Sequence, residues 1–175
     1  MLFKETKLNG AFIIEPEKLI DQRGFFARTY CLREFEAHGL NPQVVQCNIS
    51  YNAKKGTLRG LHLQVPPNEE AKLVRCFRGA IYDVIVDLRP ESKTYKEHFG
   101  VQLNPDNRLM LYVPEGFAHG FITLKDQSEV FYQMSEFYDP DNSRGYRWND
   151  PAFNIKWPEK VNVISEKDRT YPDFE

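Results

Sequence analysis

The sequence predicts an all-β protein built as a closed or double-layered sheet. Aromatic residues make up 14% of the chain, weighted to Phe (13) and Tyr (9), side chains that suit a pleated, half-buried surface. Ten Gly and 11 Pro are scattered among short apolar runs and interrupt the chain too often for long helices. One segment carries a helical pattern, whereas strand patterns recur along most of the chain. At 175 residues and 41% hydrophobic content the chain suffices for one core and falls short of the length at which chains usually divide. A single domain over residues 1–175 is expected.

Taken in order, the opening MLFKETKLNGAFIIEPEKL flanks a four-residue apolar run with charges, too short for a signal-peptide core or a membrane span. A soluble, cytoplasmic protein is expected. In Thr29–Gly39, Leu32 and Phe35 share a face between charged residues, and Gly39 before Asn41-Pro42 supplies a stop, so a short surface helix is expected. Strands are expected over Val44–Tyr51, Thr57–Leu63, Lys72–Phe77, Ala80–Leu88, Phe99–Leu103, Arg108–Val113, Phe117–Leu124 and Glu129–Tyr138. In IYDVIVDL both parities carry apolar residues, as a central strand covered on both faces would. An unbroken EVFYQMSEFY strand places Tyr132 and Tyr138 on one side, about 20 Å apart. The Val113-Pro114-Glu115-Gly116-Phe117-Ala118-His119 segment reads as strand, turn and return strand, a pattern common in jelly rolls.

Charge and cysteine content narrow the function. Lys plus Arg (23) nearly balance Asp plus Glu (25), and a net charge of −2 gives no electrostatic reason to expect nucleic acid or an anionic membrane as partner. Cys31, Cys47 and Cys76 form neither an even set nor a C-x-x-C spacing, and each is expected to be a buried free thiol.

The densest chemistry lies in Gly56-Thr57-Leu58-Arg59-Gly60-Leu61-His62-Leu63-Gln64 and the nearby Ala71-Lys72-Leu73-Val74-Arg75. Residue types alone allow a hydrogen-bonded core histidine with Arg59 and Lys72 as rim charges, or one pocket that gathers all three. Regular alternation sends Arg59 and His62 to opposite faces unless Gly60 hosts a bulge. His62 and His119 lack the further ligands a metal site needs, so no metal is expected. Proton transfer by His, Tyr and Lys in an enclosed barrel is the remaining chemistry. Glu69-Glu70 reads as a solvated turn. In the tail, Ser165 and Asp168 have the spacing of a helix cap, which the sequence favours, although Asp168 could instead fold back onto His62.

Seven motifs, in order and covering almost the whole chain, resemble one family: Asp21-Gln22-Arg23-Gly24-Phe25-Phe26, Gln46-Cys47-Asn48-Ile49-Ser50, Leu58-Arg59-Gly60-Leu61-His62, Ala71-Lys72-Leu73-Val74-Arg75, Asp83-Val84-Ile85-Val86-Asp87-Leu88-Arg89, Pro114-Glu115-Gly116-Phe117-Ala118-His119-Gly120-Phe121 and Trp148-Asn149-Asp150-Pro151. The chain resembles the dTDP-4-dehydrorhamnose 3,5-epimerases. The resemblance implies a cupin-like jelly roll, a homodimer whose N-terminal strand crosses to its partner, and a metal-free, cofactor-free epimerase of a nucleotide-linked 4-keto-6-deoxy sugar.

By position, the resemblance makes His62 the base, Asp168 its orienting partner in preference to Asp83, and Tyr132 the acid. Lys72, His119 and Arg59 would surround the keto oxygen and sugar. Arg23 of the other subunit would meet the diphosphate, Gln46 and Asn48 the sugar, and Tyr138 the base, with Lys167 also on the substrate. Arg28 and Ser143 stand where family members commonly carry glutamates that contact nucleotide or sugar, and Leu63 stands where an aromatic is usual. These departures leave room for a CDP- or GDP-linked sugar or for inversion at C3 alone, and a metal-binding cupin or a sugar-binding module would be the reading from another class.

Overall fold

The computed structural model describes residues 1–174. Four short strands come first: β1 (Leu2–Glu5), β2 (Phe12–Glu15), β3 (Lys18–Asp21) and β4 (Gly24–Ala27). Helix α1 (Leu32–Ala37) leads to β5 (Gln46–Asn52), β6 (Leu58–Gln64), β7 (Lys72–Arg78), β8 (Ile81–Asp87) and β9 (His98–Leu103). Then come β10 (Met110–Val113), β11 (Phe117–Thr123), β12 (Ser128–Met134), β13 (Ser143–Gly145) and a single-turn helix, α2 (Glu166–Arg169).

Six strands form one antiparallel sheet in the order β1-β2-β10-β7-β12-β5, five form a second in the order β13-β6-β11-β8-β9, and β3-β4 is a separate hairpin. From β5 to β13 the chain changes sheet at every step except the β8–β9 connection, which makes the expected cupin-like jelly roll. Strand alternation fills the space between the sheets: Val74, Ile81, Ile85, Leu111, Val113, Phe117, Phe121 and Val130 meet there and are almost wholly buried. The outer face of the six-stranded sheet is covered by Phe35 of α1 with Leu40, packed on Leu73, Met110 and Tyr112. The outer face of the five-stranded sheet packs Leu61, Leu63, Val86 and Ala118 against Phe153, Tyr146, Ile155 and Trp157 from the C-terminal segment. β8 is thus covered on both faces, as its two apolar parities require.

Several expectations change. The helix is confined to Leu32–Ala37; Cys31 at its start makes no side-chain cap, and Leu32 stays exposed while Phe35 is buried. The EVFYQMSEFY strand stops at Met134, because its ladder neighbours run out there: Met134 pairs with Gln46 and Lys72, which are the ends of β5 and β7. Tyr138 therefore lies in the following loop. Of the three thiols only Cys76 is buried; Cys47 is exposed because it occupies the outward parity of the edge strand β5. Burial pushes the Cys76 thiol up to about 11, which leaves it protonated and inert.

Asp87, at the end of β8, is fully buried and accepts hydrogen bonds from Arg89 (Nε 2.9 Å, Nη2 2.7 Å) and from the Ser92 (2.5 Å) and Thr94 (2.7 Å) hydroxyls. Burial pushes its carboxyl up, but Arg89 and the two hydroxyls outweigh burial and bring it to about 2. A carboxyl lowered on folding stabilises above its unfolded pKa and loses that contribution as pH falls through the folded value. Asp87→Ala is expected to cost about 3 kcal/mol at pH 7 in urea unfolding, with the gap to the parent narrowing as pH drops from about 4 toward 2. A gap constant across that range would remove Asp87 as the cause.

Candidate active site

The two sheets together line a cavity of about 560 Å³. The five-stranded sheet lines it with Arg59 and His62 from β6, His119 from β11 and Ser143 from β13. The six-stranded sheet contributes Gln46 and Asn48 from β5, Lys72 from β7 and Tyr132 from β12. Tyr138, from the loop after β12, and Lys167 of α2 complete the wall.

Register explains the convergence. His62 lies opposite His119 on β11, and Tyr132 lies opposite Asn48 on β5, so each sheet presents a cross-strand pair to the interior. Arg59 reaches the same cavity as His62 despite its odd spacing because the β6–β11 register shifts between His119 and Phe121, opposite Gly60. Gly60 has φ +122°, and a Cβ there would sit 2.5 Å from the Gly120 Cα. The irregularity turns the Arg59 side chain into the cavity, where Nε donates to Asn52 Oδ1 at 2.8 Å.

Each interior histidine has a carboxylate on one ring nitrogen. His62 Nε2 lies 2.7 Å from Asp168 Oδ1, and Asp168 Oδ2 accepts from the Gly60 N–H at 3.2 Å. The two readings of the tail hold together: the Ser165 hydroxyl accepts from the Asp168 N–H at 3.0 Å, capping α2 while the Asp168 side chain turns to His62. Burial pushes the Asp168 carboxyl up, but His62, the Gly60 N–H and the Ser165 hydroxyl together hold it below the usual carboxylate range. Asp83, fully buried, holds His119 instead, at 2.7 Å. Gly145 sits opposite His62 on the other edge of β6, and the Tyr171 ring takes the space its missing side chain leaves, meeting His62 edge-on at 5.9 Å. Burial pushes the Tyr132 phenol up, partly offset by the positive charge of Arg59.

Lys72 is 7% exposed and its Nζ lies 2.6 Å from Glu70 Oε1. The solvated-turn reading thus holds for Glu69, which is exposed, and fails for Glu70, which is 6% exposed because it has an ammonium to pair with. The signal was a two-residue spacing that puts Glu70 and Lys72 on one side of an extended chain. Asn52 and Tyr171 also escaped the sequence. Arg23 and Arg28 do not reach this cavity: Arg23 stands on the exposed β3–β4 hairpin paired with Asp21, and Arg28 pairs with Glu34. Among the described residues, no three His, Cys, Asp or Glu side chains are grouped to hold a metal ion, and no helix is long and apolar enough to cross a membrane.

Residues 5–175 match the family model for dTDP-4-dehydrorhamnose 3,5-epimerase. The chain is 47% identical to the dTDP-4-dehydrorhamnose 3,5-epimerase of Methanothermobacter thermautotrophicus, over 97% of this chain and 92% of that one. It superposes with TM-score 0.94 on the crystal structure of dTDP-4-dehydrorhamnose 3,5-epimerase from Bacillus anthracis with TDP and PPi bound, at 43% identity and 99% coverage of both chains. With TM-score 0.88 and 35% identity it matches the Legionella pneumophila dTDP-6-deoxy-D-glucose-3,5-epimerase in complex with dTDP-4-keto-L-rhamnose, covering 95% of this chain and 89% of that one.

The backbone at Gly60 is the geometric condition for the site. Gly60→Ala is expected to destabilise the protein by about 3 kcal/mol or more, since the methyl group meets backbone and the positive φ strains any L side chain. A thermal melt unchanged from the parent would refute the close approach of β6 and β11.

Proposed function

The chain belongs to the dTDP-4-dehydrorhamnose 3,5-epimerase family, and on that premise we propose that it converts dTDP-4-dehydro-6-deoxy-D-glucose to dTDP-4-dehydro-L-rhamnose by removing and returning protons at C3 and C5. The observation that carries the reading is the His62–Asp168 pair on one sheet with Tyr132 on the other, across one cavity.

A ketone at C4 acidifies the hydrogens on both neighbouring carbons. His62, with one ring nitrogen turned to Asp168, offers the other as base, and the carboxylate stabilises the imidazolium that forms. Charge then develops on the C4 oxygen, where the Lys72 ammonium stabilises it as an enolate. Inversion requires the proton to return from the opposite face, and Tyr132, on the sheet across the cavity from His62, would return it. A phenol made less acidic by burial keeps its proton until the enolate carbon takes it. Arg59 and Lys167, at the cavity wall, suit the diphosphate, since a guanidinium pairs with its oxygens bidentately. Gln46, Asn48, His119 and Ser143, which line the same cavity, would meet sugar hydroxyls, and Tyr138 the nucleotide base.

Arg23 acts in this scheme from a second copy. The β3–β4 hairpin that carries it leaves Leu19, Ile20 and Phe26 69%, 80% and 71% exposed, an apolar arm suited to crossing onto a partner in a homodimer. Arg28, on the same segment, would travel with it. Three free cysteines fit a reducing compartment, and we place the reaction in the cytoplasm.

Turnover of dTDP-4-dehydro-6-deoxy-D-glucose in deuterium oxide, followed by proton NMR, is expected to label both C3 and C5. No label at either carbon sinks the reading, and label at C3 alone reduces it to a C3 epimerase. Asp168→Asn is expected to lower kcat about 10²- to 10⁴-fold by removing the charge that orients and stabilises the His62 ring. Tyr132→Phe is expected to lower formation of inverted product by a similar factor of about 10² or more while label still exchanges into recovered substrate. Equal loss of exchange and inversion would take the acid role from Tyr132.

A further inference from the structure

We propose that Glu70 is a positioning residue that holds the Lys72 ammonium aimed at the enolate oxygen. The proposal rests on the epimerase reading above and adds a residue to it. Glu70 is the single carboxylate on the cavity wall among the described residues; Asp168 and Asp83 stand behind the two histidines. Its two oxygens divide their work. Oε1 takes the Lys72 ammonium at 2.6 Å, and Oε2 accepts the Gln64 N–H at 2.9 Å. Gln64 is two residues beyond His62 on β6, whereas Lys72 begins β7 in the other sheet. Glu70 therefore joins the strand of the base to the strand of the cation across the barrel.

The consequence follows from the donor count. An ammonium has three N–H bonds. One is committed to Glu70, and a second points toward the His62 carbonyl at 3.5 Å, which leaves the third for the cavity. Without an anion beside it, the ammonium at the end of a long side chain has no partner to fix its direction and is free to turn away from the enolate oxygen. The other ionisable groups around Lys72 supply no such anion: His62 on β6, His119 on β11, Tyr132 on β12 and Arg59 at the wall. The adjoining strand β10 offers Val113 at that register.

Glu70→Gln preserves shape and removes charge, with Glu69→Gln, on the exposed neighbour, as control. Glu70→Gln is expected to lower kcat about tenfold or more and leave KM within about threefold, the split expected when a donor that acts on the enolate rather than on the bound substrate is misdirected. Acetic anhydride followed by peptide mass spectrometry is expected to modify Lys72 faster at pH 7 in Glu70→Gln than in the parent, and this measurement needs no turnover. Adding Glu70→Gln to Lys72→Met is expected to cost nothing further in kcat, because Glu70 acts through Lys72. The proposal is overturned by an unchanged kcat and an unchanged Lys72 labelling rate in a Glu70→Gln protein that still binds dTDP, or by an independent loss in the Lys72→Met background. If the parent itself exchanges no deuterium, the epimerase reading fails, and the labelling rates still decide whether Glu70 holds Lys72.

Discussion

A carboxylate removed from water needs a charged or hydrogen-bonding partner, and much of this barrel is arranged to meet that requirement. Glu70, Asp83, Asp87 and Asp168 are each at least nine-tenths buried, and each meets a basic side chain within 2.7 Å. Two of these pairs join distant parts of the chain. The Asp168–His62 contact spans 106 residues and brings α2 against β6, and with it the segment that carries Lys167 and Tyr171. Removing either carboxylate would leave an interior histidine without the group that fixes its ring, so fold and site share the same bonds.

The jelly roll determines where the reactive groups stand. Because the chain alternates between sheets, the β6–β11 pair with its two histidines belongs to one wall, and the β7–β12 pair with Lys72 and Tyr132 to the other. In the proposed reaction, a base and an acid on opposite walls of one cavity would address opposite faces of a flat sugar enolate, which is the geometric condition for inversion. Racemising the same carbon with both groups on one strand would require the substrate to turn over. The apolar residues between the sheets, Val74, Ile85, Phe117 and Phe121 among them, hold the walls at a fixed separation, so the chemistry depends on core packing well away from the reacting carbons.

Much of this was legible in the chain. Seven-residue strands such as Ile81–Asp87 and Phe117–Thr123 were readable because both of their faces are buried, so they stand out as apolar runs bounded by turn residues. The four-residue strands Leu2–Glu5, Phe12–Glu15, Lys18–Asp21 and Gly24–Ala27 were not, because their residues are largely exposed or half-buried and carry no clean period. In the site, His62 and Lys72 lie in the motifs themselves, whereas Tyr132 and Asp168 took their roles only from the family resemblance, the residues alone favouring a helix cap for Asp168. Glu70 emerged from neither, because a paired acid beside Pro66-Pro67 resembles a solvated turn until a buried ammonium is seen next to it. The choice between Asp83 and Asp168 for His62 was likewise a question of three-dimensional neighbours: Asp83 is cross-strand from Phe121, two residues past His119, and its carboxylate meets that ring first.

The cations of the cavity divide by depth into two kinds. Lys72 is buried and paired, whereas Arg59 and Lys167 are exposed and, among the described residues, form no salt bridge. A paired, enclosed ammonium exerts little long-range attraction, since Glu70 cancels its field at a distance, but it still donates a short hydrogen bond to an oxygen placed against it. Unpaired cations at the wall would do the reverse in the proposed reaction: they would attract a diphosphate from solution and hold it whether or not the sugar has reacted. Uniform attraction of that sort improves binding without lowering the barrier, whereas a donor that meets charge only as it develops acts on the barrier itself. In the proposed reaction, the distribution of one carboxylate among three cations would separate holding the nucleotide from stabilising the enolate, in a chain whose overall charge is slightly negative.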